Sequence, residues 1–213
     1  MAVKSVLFDL DGTLTDSGDG IVNCVIPALE HFGLPIPPRE ELKVFVGPPL
    51  NDTFPRFGVP ADRVEEAVAI FRARYIPIGI YENAPYAGIP EMLDTLQKKG
   101  YKLYVATSKV EAMAEKILAH FGLAQYFTKI CGASMDFSRN TKEAVIEHLL
   151  KETGESDSMI MVGDTTFDIV GAKYHGIPAV GVSWGYGKVE DMVSAGACAI
   201  VDTPEELIAF LEN

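Results

Sequence analysis

The sequence predicts an α/β fold, in which a mostly parallel sheet carries helices on both faces and a small all-helical domain is inserted after the first strand. Three observations predict it. Residues 6–8 form a continuous apolar run, which is typical of a strand buried on both faces. From about residue 89 onwards strand patterns alternate with amphipathic helix patterns, and this alternation indicates right-handed crossovers between parallel strands. Between about Asp16 and Asn83 no strand pattern occurs, so this region is predicted to be helical.

The composition is that of an ordinary globular protein, with 48% hydrophobic and 23% charged residues among 213. The net charge of -12 and the lack of a basic run argue against a nucleic-acid partner. No apolar run approaches the roughly 18 residues of a membrane span, so no membrane partner is expected.

The expected compartment is the cytoplasm. The first apolar run is short and is interrupted by Asp9, so no signal peptide is predicted. The three cysteines, Cys24, Cys131 and Cys198, are far apart in apolar surroundings. They are predicted to be buried free thiols in a reducing compartment rather than parts of a disulfide or metal site.

The insert is predicted to span residues 16–83, and the core domain residues 1–15 and 84–213. Within the insert, Gly33 ends the first helix, a Gly- and Pro-rich loop occupies residues 46–50, and Pro60 suits the start of the last helix. The predicted helices of the insert cover residues 21–32, 40–45, 51–57 and 60–75.

The core is predicted to alternate between helix and strand after the insert, with its functional site at the carboxyl ends of the strands. In order, the predicted elements are helix 89–99, strand 103–106, helix 110–121, strand 129–131, helix 142–151, strand 159–162, helix 167–174, strand 179–182, strand 199–201 and helix 204–211.

Two carboxylates, Asp9 and Asp11, follow the first strand in the pattern Asp-x-Asp-Gly-Thr-Leu. Because they are two residues apart, both side chains leave an extended backbone on the same side. Like charges so close together call for a divalent cation or a shared proton. Gly12 allows a tight turn at this point. Taken alone, the pattern is more typical of a strand end followed by a solvated turn.

Thr107 and Ser108 follow the predicted strand 103–106. A hydroxyl group and the free N–H groups of a helix start would together bind an anion there. The alternative is an ordinary helix N-cap.

Lys142 lies in the first turn of a predicted helix, where the helix dipole disfavours a cation, so a chemical role is suggested. The alternative is a solvated lysine, with Arg139 or Lys109 in the chemical role.

Asp164 and Asp168 follow a second buried strand, four residues apart at a helix start, so both can face one point. A metal site with few carboxylate ligands favours Mg2+. The sequence has no cluster of His and Cys with the spacing of a zinc site.

In this order the four patterns resemble the haloacid dehalogenase-like (HAD) phosphohydrolases, subfamily I, whose members carry a helical cap and include phosphoglycolate phosphatases and 5'-nucleotidases. The resemblance covers almost the whole chain. It implies a Rossmann-like core, with residues 16–83 as a cap that selects the substrate. The implied site comprises Asp9 as nucleophile and metal ligand, Asp11 as general acid and base and metal ligand, Asp164 as metal ligand, Asp168 in support of metal-bound water or Lys142, and Gly12, Thr13, Thr107, Ser108 and Lys142 around the phosphoryl group.

The resemblance therefore predicts a Mg2+-dependent phosphatase that hydrolyses a small phosphate monoester, such as a phosphoglycolate-, nucleotide- or sugar-phosphate-like metabolite, through an aspartyl-phosphate. One alternative is a phosphomutase of the same fold, similar to β-phosphoglucomutase. It is disfavoured because residues 47–50 replace the Arg-containing segment expected in sugar phosphomutases. The other is a non-catalytic protein that binds a phosphorylated metabolite. It is disfavoured because all the catalytic residue types are present.

Substrate contacts in the cap are expected from Gly47, Pro48, Arg56 and Arg72. The protein is expected to be a monomer or a weak homodimer.

Overall fold

The first strand lies inside a six-stranded parallel sheet. A computed structural model describes residues 3–136, 138–155 and 158–213. The strand order is β5-β4-β1-β6-β7-β8, and the strands are β1 (Ser5–Phe8), β4 (Lys102–Val110), β5 (Lys129–Ala133), β6 (Met159–Gly163), β7 (Ala179–Val182) and β8 (Ala199–Val201). A separate two-stranded sheet consists of β2 (Thr15–Asp16) and β3 (Ala84–Pro85).

Helices lie on both faces of the large sheet, which confirms the predicted fold class. They are α5 (Ile89–Lys98), α6 (Glu111–His120), α7 (Lys142–Thr153), α8 (Thr166–Tyr174), α9 (Val189–Ala195) and α10 (Pro204–Leu211). The seven-residue α9 was not predicted. Met192 is its one fully buried apolar residue, so the sequence shows no helical spacing of apolar residues there.

Burial explains the central position of β1. Val6, Leu7 and Phe8 are all inaccessible to solvent, and the strand pairs with β4 on one side and β6 on the other. A strand that is apolar on both faces is stable only between two other strands and two helical layers. The buried core therefore holds the end of β1, and the residue that follows it, in a fixed position.

The chain separates into two compact units. One consists of the chain up to Thr15 and from Pro85 onwards, and the other of residues Asp16–Ala84. The second unit is built from α1 (Gly18–His31), α2 (Arg39–Leu42), α3 (Leu50–Thr53) and α4 (Val64–Tyr75), with 3-10 turns at Lys43–Phe45, Phe54–Phe57, Ala61–Arg63 and Gly79–Tyr81. Two of the predicted helices, 40–45 and 51–57, are thus each an α-helical turn that continues as a 3-10 turn. The use of this unit as a cap stays a prediction.

The end of β4 differs from the prediction. The strand was expected to end at Ala106, but it continues to Val110 with a change of register. Ala106 pairs with Cys131 and Val110 with Ala133, so four steps along β4 match two along β5, and the residues between them bulge. Gly132 permits this bulge, because a Cβ there would lie 2.5 Å from the carbonyl oxygen of Lys109.

Candidate active site

The predicted site residues of the core converge at the carboxyl ends of three neighbouring strands. Asp9 follows β1, Thr107 lies near the end of β4, and Asp164 follows β6. This edge is where parallel sheets place their sites. The backbone N–H of Asp9 donates to Val162 of β6 at 3.0 Å, so the sheet ladder continues as far as the first carboxylate.

Lys142 forms ion pairs with two buried carboxylates. Its Nζ lies 3.0 Å from Asp9 Oδ1 and 2.7 Å from Asp168 Oδ1, and it donates to the carbonyl oxygen of Ala106 at 2.9 Å. The residue is 3% exposed. Burial lowers the pKa of this lysine, but the charges of Asp168 and Asp9 outweigh burial and raise the pKa, so the ammonium group stays charged.

The start of α8 orients Asp168. Its Oδ2 accepts hydrogen bonds from the N–H and the hydroxyl group of Thr165, at 3.0 and 2.9 Å, in a capping box. Its other oxygen faces Lys142, so both oxygens of Asp168 are engaged. Gly171 lets α8 approach α7, since a Cβ there would lie 2.6 Å from Lys142 Cγ. Asp168 is therefore fixed as the partner of the lysine.

Asp164 is buried, and neutral donors hold both of its oxygens. Thr13 donates its hydroxyl hydrogen to Oδ1 at 3.3 Å, and the backbone N–H of Tyr186 donates to Oδ2 at 2.8 Å. Burial, and then the negative charges of Asp168 and Asp9, raise the pKa of Asp164 to about 8. Burial also raises the pKa of Asp168 to about 6, against the opposing charge of Lys142.

These carboxylates fit a divalent cation. Oxygen atoms of Asp9, Asp164 and Asp168 lie within 4.8 Å of one another, and all three residues are buried. Lys142 supplies a single positive charge to this group, so negative charge remains in excess. A hard cation with oxygen ligands would satisfy the remaining charge. Asp168 pairs with the cationic Lys142 through one oxygen and accepts from Thr165 through the other, whereas the donors to Asp164 are neutral. Asp9 and Asp164 are therefore the carboxylates best able to bind the cation.

Asp11 has a cationic partner that the sequence did not predict. Its Oδ2 lies 2.8 Å from Nζ of Lys109, and both side chains are at most 10% exposed. Its Oδ1 is buried and has no hydrogen-bond partner among the described residues. Sequence reasoning treated Lys109 only as a substitute for Lys142. The available signal was its position two residues after Thr107, at the end of a strand beside β1.

Thr107 and Ser108 lie in the β4 bulge and not at a helix start. Thr107 is 1% exposed, and its hydroxyl oxygen accepts from the N–H of Lys109 at 3.2 Å. Helix α6 begins only at Glu111, with Val110 as its N-cap and without a side-chain cap. The N-cap alternative is therefore wrong. The expectation that Ser108 offers a helix-opening amide is also wrong, because a strand with a bulge occupies that position.

A loop over Asp164, residues 183–188, was also missed. Its Trp184 donates from Nε1 to the carbonyl oxygen of Thr13 at 3.0 Å, and Tyr186 supplies the N–H that holds Asp164. The approach is so close that a Cβ on Gly187 would lie 1.9 Å from the carbonyl oxygen of Asp164. Gly12 also lies close to Asp164: its φ is 82°, and a Cβ there would lie 2.2 Å from Asp164 Oδ2. Gly187 is therefore required by proximity to the backbone of Asp164, and Gly12 by proximity to its carboxylate.

The candidate substrate contacts of the insert all lie in the second unit. Gly47 has a φ of 97°, Pro48 follows it in the same turn, Arg56 is exposed, and Arg72 is half-buried in α4. Their contacts with a substrate stay predictions. Arg74, on the same helix as Arg72, binds Glu82 through both of its terminal nitrogens, at 2.7 and 2.8 Å.

Comparisons with known proteins agree with this architecture. The family model described as haloacid dehalogenase-like hydrolase matches residues 6–182. A 5'-nucleotidase of Pseudomonas aeruginosa is 40% identical over 190 residues, which cover 88% of this chain and 86% of that protein. The tyrosine-protein kinase PtkA of Mycobacterium tuberculosis is 42% identical over 205 residues, which cover 95% of this chain and 70% of that protein.

Among solved structures, that of a predicted phosphatase from Clostridium acetobutylicum superposes with a TM-score of 0.95. The two sequences are 38% identical, and the match covers 100% of both chains. Among the described residues, no helix is long and apolar enough to cross a membrane.

Proposed function

Because the chain belongs to the haloacid dehalogenase-like hydrolase family and is a phosphatase, we propose that it is a Mg2+-dependent enzyme that hydrolyses a small phosphate monoester through an aspartyl-phosphate on Asp9. The observation that supports this most directly is the set of contacts around Asp9. The carboxylate lies at the carboxyl end of the central strand, and Lys142 and the N–H of Leu10 both bind its Oδ1, at 3.0 and 2.7 Å.

The first step is attack of the Asp9 carboxylate on phosphorus, with departure of the alkoxide of the ester. Burial of Asp9 and its two fixed donors hold the nucleophile in one orientation, which lowers the entropic part of the barrier. Asp11 donates a proton to the leaving oxygen. In the second step Asp11 takes a proton from the water that attacks the phosphoenzyme, which releases inorganic phosphate and regenerates Asp9.

Lys109 and Lys142 contact different carboxylates, Asp11 and Asp9. Lys142 stays charged between Asp9 and Asp168 and neutralises the nucleophile and the transferred group. Lys109 holds one oxygen of Asp11 and leaves the other, Oδ1, to exchange the proton. Thr107, at the β4 bulge, contributes a hydroxyl group to the phosphoryl site.

The residues that would hold Mg2+ are Asp9, Asp164 and the backbone carbonyl group of Asp11. When bound, the cation orients the nucleophile and neutralises charge on the phosphoryl group. Thr13 and Tyr186 keep Asp164 turned towards this position.

The test is phosphate release from a panel of phosphate monoesters with Mg2+, comparing wild type with Asp9→Asn. We expect the variant to lose activity by roughly 10^4-fold or more, because it removes the nucleophile. Asp191→Asn is the matched control, since Asp191 is exposed on α9. Full turnover by Asp9→Asn would contradict the proposal, and one ester well above the others would identify the substrate class.

Similarity to a tyrosine-protein kinase favours a second candidate, in which the phosphoryl group passes to an acceptor other than water. The phosphomutase alternative belongs to the same class. Both are distinguished by the destination of the label when a [32P]-phosphorylated donor is supplied. Labelled inorganic phosphate supports hydrolysis, whereas label on a protein tyrosine or on a second sugar position supports transfer.

A further inference from the structure

Three side chains that commonly bind transition metals meet at the β5 edge of the sheet, outside the candidate active site. Glu111 is the first residue of α6, Cys131 lies in the middle of β5, and His148 is in α7. One ligand atom from each, a carboxylate oxygen, the thiol sulfur and a ring nitrogen, lies within 4.8 Å of the other two. The sequence gives no sign of this cluster, because the three residues are far apart along the chain.

The arrangement is accessible from solvent. Cys131 is fully buried and packs among core residues, so its sulfur is a fixed point. Glu111 and His148 are half-buried above it, and no hydrogen bond of the His148 ring is found among the described residues. Donor atoms around a tetrahedral zinc ion are about 3.5 Å apart, given bonds of 2.0–2.3 Å. The three ligand atoms, within 4.8 Å of one another, therefore have to approach by about 1.3 Å at most to reach that spacing.

The surroundings orient Glu111 and also compete for it. Its Oε2 accepts from Arg139 Nη2 at 2.8 Å and from the N–H of Gly132 at 3.1 Å. These bonds fix the carboxylate and leave its second oxygen for a cation. Burial, followed by the charge of Glu111, raises the pKa of Cys131 to about 11, so the thiol is protonated until a cation displaces the proton.

We propose that Glu111, Cys131 and His148 bind Zn2+ with one coordination position left for water. A thiolate, an imidazole and a carboxylate are the ligand types that zinc takes, and two of the three are poor ligands for Mg2+. In the candidate active site, Asp9, Asp164 and Asp168 supply only oxygen, so the two sites select different metals.

Cobalt is the probe that separates this site from the carboxylate site. With the full chain in excess Mg2+, one equivalent of Co2+ is expected to produce a thiolate-to-cobalt charge-transfer band in the near ultraviolet, and Zn2+ is expected to abolish it by displacement. Cobalt at the carboxylate site gives no such band, because no sulfur is present there. The readout therefore does not depend on the proposed phosphatase function.

Variants test each ligand. Cys131→Ser is expected to abolish the band, and His148→Ala and Glu111→Gln are each expected to weaken Co2+ binding by about 10-fold or more. Cys24→Ser and Cys198→Ser are matched controls that keep the band. Circular dichroism checks that each variant folds. If Cys131→Ser fails to fold, unchanged binding in both His148→Ala and Glu111→Gln overturns the proposal, as does absence of the band in wild type.

Discussion

Lys142 shows how one residue links stability to chemistry. It lies in a helix first turn, where the helix dipole disfavours it, and it is almost completely buried. Two carboxylates offset both costs. The same contacts place a permanent positive charge next to the carboxylate that we propose as the nucleophile.

We expect Lys142→Met to lower the free energy of unfolding by about 3 kcal/mol, because it leaves two buried carboxylates without a counter-ion. Phosphatase activity should fall by roughly 10^2-fold or more. Urea denaturation and initial rates measure the two effects. Lys151→Met is the control on the same helix, since Lys151 is exposed and pairs with Glu147 across one turn, so a change below about 0.5 kcal/mol is expected. Equal effects of both variants would show that burial of Lys142 has no special role.

The pair formed by Asp11 and Lys109 leads to a second prediction at this scale. Lys109→Met should lower kcat by about 10- to 100-fold with a smaller change in KM, because Asp11 loses the partner that orients it for the proton transfer that we propose. Lys109→Arg should restore part of kcat, since it keeps the charge. Lys116→Met, on the exposed side of α6, should behave as wild type. A loss confined to KM would instead place Lys109 in substrate binding.

At the scale of elements, the sequence predicted those strands and helices whose positions follow from local patterns of apolar residues. Buried strands and amphipathic helices were visible because their apolar spacing is local, and they placed Asp9 and Asp164 at one edge. The β4 bulge was not visible, because it depends on how β4 meets β5 at Gly132. The loop of residues 183–188 was missed for the same reason, since its role depends on contacts with Thr13 and Asp164, which are distant in the sequence.

That loop gives the prediction for this scale. Gly187→Ala places a Cβ where the carbonyl oxygen of Asp164 lies, so the loop must move and take the Tyr186 N–H with it. We expect the Mg2+ concentration for half-maximal activity to rise by about 10-fold or more. Gly122→Ala is the contrast, because its φ of 68° is unfavourable but no atom lies within 4 Å of the added Cβ. It should cost about 1 kcal/mol of stability and leave the Mg2+ dependence unchanged. Unchanged Mg2+ dependence in Gly187→Ala would contradict a role of the loop in holding Asp164.

For the molecule as a whole, the buried carboxylates Asp164 and Asp168 of the first unit link stability to pH. The raised pKa values of Asp164 and Asp168, about 8 and 6, mean that the folded protein without metal holds these protons more tightly than the unfolded chain does. Such groups contribute full stability near pH 4 and lose it as the pH rises towards 8. The metal-free enzyme is therefore expected to be less stable under the conditions in which its carboxylates are ready to bind a cation.

The last prediction follows from this opposition between the stability of the metal-free protein and the ionisation of the carboxylates that would bind the cation. After EDTA treatment, Tm should fall between pH 6 and pH 8, and Mg2+ at about 100 times its Kd should raise Tm at pH 8 by roughly 5 °C or more. Asp164→Asn removes the charge that is costly to bury, so the metal-free variant should equal or exceed wild type in Tm at pH 8, yet gain nothing from Mg2+. Asp191→Asn should follow wild type in both states. Calorimetry measures Tm with and without Mg2+ at the two pH values. An equal rise in Tm on addition of Mg2+ in wild type and Asp164→Asn would show that the cation binds elsewhere.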